Sequence, residues 1–121
     1  DGRDIVSVNL HGIHYDPMSD VLMLTDVGDA AIADDGQILA IAGAAKAEGT
    51  TEVALRIAGA STELGNPVDL AFDGVDLYIA EKANSRVLRY DAVLDLSGEI
   101  DAPADASIEA TNAESVQIQH P

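Results

Sequence analysis

Four carboxylates fall within ten residues of the stretch "TDVGDAAIADDG": Asp26, Asp29, Asp34 and Asp35. Such a cluster suits Ca²⁺, a hard cation that takes ~6–8 oxygen ligands, and Ca²⁺ is the one cofactor the sequence suggests. The spacing differs from the Asp-x-Asp-x-Asp-Gly loop of calcium hands. The competing reading is a solvated acidic loop in which Asp34-Asp35-Gly36 simply makes a turn. A second candidate is His11-Gly12-Ile13-His14. On a strand, residues three apart point to opposite faces, so one ion takes both imidazoles only across a bulge. The chain has three histidines, His120 being the third, which is thin material for a zinc site unless different strands or copies converge. No nucleophile elbow and no glycine-rich phosphate loop is present, and no residue is assigned a catalytic role.

The residues around these candidates are dominated by acid. The 121 residues hold 22 Asp+Glu against 6 Lys+Arg, a formal net charge of −16. A surface of that sign repels phosphate backbones and anionic bilayers, which argues against nucleic-acid and membrane partners. It fits solubility in a salty setting where self-repulsion is screened, a cation ligand, or a basic partner. Abundant Ala and Asp with only Lys46 and Lys82 as lysines resembles the proteins of salt-adapted organisms. There is no cysteine, so disulfides, thiolate metal sites and a cysteine nucleophile are excluded. No apolar run approaches the ~20 residues of a membrane-spanning helix. The sequence begins at Asp1 rather than Met and reads as a processed or excised piece.

What must position the candidate residues is a set of strands. Apolar residues alternate with polar ones over Ile5–Val8, His11–Tyr15, Val21–Thr25, Gln37–Ala42, Glu52–Ile57, Val68–Phe72, Leu77–Ala80, Arg86–Tyr90, Ser107–Ala110 and Val116–His120. Turn residues separate them at Asp16-Pro17, Asp34-Asp35-Gly36, Gly65-Asn66-Pro67, Asp73-Gly74 and Ala102-Pro103. Residues 44–49 and 92–96 have room for one helical turn each. The expected class is all-β, with an aliphatic core, since the aromatics are Tyr15, Phe72, Tyr78 and Tyr90 alone.

The chain also repeats itself. "NLHGIHYD" at residues 9–16 aligns with "NPVDLAFD" at 66–73, "VLMLTD" at 21–26 with "DLYIAE" at 76–81, and "GQILAI" at 36–41 with "SRVLRY" at 85–90. Asn9 meets Asn66, Tyr15 meets Phe72 and Asp26 meets Glu81. The period is about 50–57 residues, near that of propeller blades. "NPVDLAFDG", "DLYIAE" and "ANSRVLRYD" together resemble the NHL-type and YVTN-like β-propeller repeats, closely over residues 65–91 and more loosely over 9–43.

The resemblance implies four-stranded antiparallel blades: residues 1–8 end a preceding blade, 9–57 form one, 66–111 a second, and 115–121 start a further one. It places Asn9, His11 and Asn66 at a channel mouth as binding candidates. A little over two blades is less than the ~4–8 of a closed ring, so further blades must come from the same parent chain or from other copies, as a ring or a polymer. The function this implies is a secreted, extracellular or periplasmic module for binding or assembly without chemistry. The alternatives are part of a metal-dependent lactonase-type hydrolase or lyase, and a filament-forming structural protein.

Overall fold

The computed structural model describes residues 7–29 and 31–119. Nine strands form from the alternating segments: β1 (Leu10–Asp16), β2 (Val21–Asp26), β3 (Gln37–Ala42), β4 (Leu55–Ala58), β5 (Pro67–Phe72), β6 (Leu77–Glu81), β7 (Arg86–Tyr90), β8 (Gly98–Ile100) and β9 (Ala106–Glu109). The protein is all-β, with only single 3-10 turns at Ala44–Lys46, Ala60–Thr62 and Val93–Asp95. None of the described helices is long and apolar enough to cross a membrane.

The strands make two sheets. The first runs β1-β2-β3-β4-β8 and the second β5-β6-β7-β9. Neighbours are antiparallel except β8, which lies parallel to β4 with Leu55 opposite Gly98 and Ile57 opposite Ile100. Short turns close the hairpins. Between β5 and β6, Asp73 Oδ1 accepts the backbone N–H groups of Val75 (2.8 Å) and Asp76 (2.6 Å), and Gly74 takes φ 101°. An aspartate that bonds its own turn and a glycine free to adopt positive φ are what this reversal requires.

The two sheets repeat one another in register and in irregularity. Both first strands carry a bulge, between Leu10 and Ile13 in β1 and between Pro67 and Asp69 in β5. In both, the backbone N–H after the acid ending the second strand donates to the carbonyl of the aligned asparagine: Val27 to Asn9 at 2.9 Å and Lys82 to Asn66 at 3.0 Å.

Packing is directional. Leu70, Phe72, Leu77, Ile79 and Leu88, on one face of the second sheet, form a single apolar cluster with Met23, Ile38, Ala40, Leu55 and Ile57 of the first. The sheets come closest along their first strands, where a Cβ on Gly12 would lie 3.1 Å from the Asp69 Cα. Gly36 makes a second close junction: its N–H donates to the Leu64 carbonyl at 2.8 Å, and a Cβ there would lie 2.5 Å from Pro67 Cδ.

Three expectations need amendment. The first sheet has a fifth, parallel strand, because the excursion after β7 folds back onto the free edge of β4 and satisfies it, with Gly98 N–H donating to the Ala54 carbonyl at 2.9 Å. Residues 116–119 are not in a paired strand; the Val116 N–H instead donates to Asp69 Oδ2 at 3.0 Å, beside β5. In the expected strand Ile5–Val8, Ser7 and Val8 are unpaired by any ladder, and Ile5 and Val6, like His120, lie outside the described residues.

Candidate functional site

The two recurring acids sit at the same end of their sheets, and both side chains are fully buried. Asp26 accepts the backbone N–H groups of Val8 (2.8 Å), Asn9 (2.9 Å) and Gly28 (2.8 Å), and the Gln37 side-chain amide at 3.1 Å. Glu81 accepts the N–H groups of Gly65 (2.9 Å) and Asn84 (2.8 Å). Each acid therefore ties the start of its sheet's first strand to the turn that leads into the third. Glu81 faces Arg86 in strand register. Among the described residues it forms no ion pair with it; backbone donors take the carboxylate instead.

The same role gives opposite electrostatics. Burial pushes the Asp26 carboxyl up, but the donors from Asn9, Gly28, Val8 and Gln37 outweigh it and leave the pKa below the ordinary value. For Glu81 burial wins over the N–H groups of Asn84, Asn66 and Gly65, and its pKa is raised.

Two carboxylates of the acidic loop bond the loop itself. Asp29 Oδ1 caps the Ala31 N–H at 2.9 Å, and Asp35 Oδ2 accepts the Asp29 N–H at 2.7 Å. Asp34 and Asp35 are exposed and line a cavity of about 260 Å³ with Gln37 and Arg56. Among the described residues no three His, Asp or Glu side chains converge as a metal cage. The bulge that could have united His11 and His14 is present in β1, yet His11 is exposed and His14 turns inward against the Phe72 ring, edge-on with centroids 5.8 Å apart. Asn9 is exposed and Asn66 half-buried, its Oδ1 enclosed without a hydrogen-bond partner.

A polar chain crosses the outward face of the first sheet. Arg56 Nε donates to Gln37 Oε1 at 2.7 Å, Gln37 donates on to Asp26, and the Arg56 guanidinium reaches Glu99 of β8 at 3.6 Å. Arg56 was not singled out by its sequence context. Its place as a lone cation in a strand of an acidic chain was the available signal.

Several apolar residues are available to a partner. Ile13 is 68% exposed and Tyr15 43%, whereas their counterparts Leu70 and Phe72 are 6% and 8% exposed. On the far face of the second sheet Ile108 is 64% exposed. A cavity of about 110 Å³ opens there between Tyr78, Val87, Arg89 and Ile108. No family model, curated protein or solved structure matches the chain.

Proposed function

We propose that the chain is a β-propeller-type module of just over two blades, used for binding or assembly and without chemistry of its own. An extracellular or periplasmic setting, where salt screens a charge of −16, belongs to the same proposal.

One observation carries this reading: the second sheet covers the first with Leu70 and Phe72, while the aligned Ile13 and Tyr15 of the first sheet face outward. A sheet whose inner positions are apolar on both faces needs a layer on each side. The approach of β5 to β1 at Gly12, and of Val116 to Asp69 on β5, adds to it. Each new repeat begins beside the first strand of the one before, as blades do around a channel.

The test is binding of an apolar fluorescent dye to the wild-type chain at low protein concentration and to a variant carrying Ile13→Asp and Tyr15→Asp. A clear reduction in dye binding with an unchanged melting temperature is expected. Equal dye binding by the two proteins, or none by either, would overturn the reading.

A further inference from the structure

The chain contains its own example of how one of its sheets is covered. Leu70, Phe72, Leu77 and Ile79 of the second sheet lie on Met23, Ile38 and Ile57 of the first. Both partners in that packing recur at the two outer surfaces, where Ile13, Tyr15 and Ile108 are exposed and Tyr78 and Val87 half-buried. On the first sheet, Ile13 and Tyr15 repeat Leu70 and Phe72. On the second sheet, Tyr78 aligns with Met23 and Val87 with Ile38. Ile108, opposite Val87 in register, stands where Ile57 stands opposite Ile38.

Size is complementary as well. Phe72 packs on the His14 ring. The outward counterpart of Phe72 is the larger Tyr15, and the counterpart of His14 is the smaller Ala71. The larger ring on one surface thus meets the smaller residue on the other. Charge adds little beside them: Asp16 and Asp20 flank Tyr15, whose hydroxyl donates to Asp20 at 2.8 Å, while Arg89, which lines the cavity on the opposite surface, is paired with Asp91 at 2.5 Å.

We infer that a second copy of this chain covers the Ile13–Tyr15 face with its own Tyr78–Val87–Ile108 face, in a head-to-tail contact that repeats the packing within one chain. This rests on the assembly reading above and names its partner. The two surfaces differ, so the contact is heterologous and propagates either to a closed ring or to an open polymer. Copies that each carry −16 repel, so the contact strengthens as salt rises; a basic partner would be lost under the same change.

The experiment is sedimentation equilibrium of the wild-type chain, Ile13→Asp and Val87→Asp over a range of concentration in low and high salt, with melting temperatures to verify folding. The wild type is expected to assemble as salt rises, and each variant alone to remain monomeric. Mixed one to one, the variants are expected to give a heterodimer that grows no further, since each retains the surface the other lacks. A folded wild type that stays monomeric, variants that keep the wild-type mass, or a mixture that yields no heterodimer would overturn the inference. A monomer that still binds apolar dye through Ile13 and Tyr15 would leave the assembly reading standing with another occupant; a monomer that binds none would remove both.

Discussion

The Asp26 carboxylate accepts the backbone N–H of Asn9 at 2.9 Å, joining the end of β2 to the start of β1. The second sheet has a counterpart: Glu81 accepts the Gly65 N–H at 2.9 Å, as Asp26 accepts that of the aligned Val8 at 2.8 Å. These acids are structural pins. Each replaces water at donors that the bulged start of a first strand cannot offer to a neighbouring strand.

Removing such a pin leaves enclosed donors without partners. Asp26→Ala is expected to cost about 2–4 kcal/mol, because several N–H groups lose their acceptor at once and each charge-assisted bond is worth about 1.5–3 kcal/mol. Asp26→Asn retains one carbonyl acceptor and should cost less. Urea unfolding midpoints of the three proteins check the order.

The two pins respond to pH in opposite directions. The Asp26 pKa is lowered in the folded chain, so its contribution is present above the unfolded value and is lost as pH falls through the folded one. The Glu81 pKa is raised, so its contribution is present below the unfolded value and is lost as pH rises through the folded one. Melting temperatures across the acid range should therefore show the deficit of Asp26→Asn shrinking on acidification and that of Glu81→Gln growing. Parallel curves for both variants would contradict the assignment.

Aligned positions should differ sharply in cost. Leu70→Ala opens a cavity between the sheets and is expected to cost about 2–5 kcal/mol. Ile13→Ala, on the exposed side, should change the stability of the dispersed chain by no more than about 0.5 kcal/mol. Denaturant unfolding at low protein concentration, below any assembly, makes the comparison.

Gly36 sets how closely the sheets meet. A methyl group at this position would press on Pro67 Cδ and, at 2.8 Å, on the Leu64 carbonyl, while the Gly36 N–H must still reach that same carbonyl. Gly36→Ala is expected to lose about 1–3 kcal/mol through overpacking. The faster amide exchange it causes should be centred on residues 36 and 64–67 rather than on β6 and β7.

Much of the fold was legible along the chain. Gln37–Ala42 and Arg86–Tyr90 form strands over the expected residues, and Val21–Asp26 and Leu77–Glu81 extend the expected ones by a single acid. Period-two alternation and turn residues are local properties, so a local reading recovers them. The equivalence of Asp26 with Glu81 and of Asn9 with Asn66 was also readable. Strand β8 was not: Gly98, Glu99 and Ile100 carry no strong alternation and become a strand because β4 offers a free edge. The bonding of the acidic loop was not legible either, because composition only counts carboxylates. Composition does not record that Asp26, Asp29 and Asp35 point at backbone N–H groups.

By itself, then, the sequence determined the strands, their repetition and the equivalence of Asp26 with Glu81 and of Asn9 with Asn66, since all three follow from residue types at short and repeated spacings. Tertiary structure decided which of two equivalent apolar faces is covered. Ile13 and Tyr15 carry the same pattern as Leu70 and Phe72, and alternation along a strand says only that a face is apolar. Burial comes from whatever layer lies over that face, and within one chain the second sheet covers the first on one side. The contrary pKa shifts of Asp26 and Glu81 have the same origin: the residue type sets a carboxyl's ordinary value, while the balance between its burial and its N–H donors exists only in the folded packing.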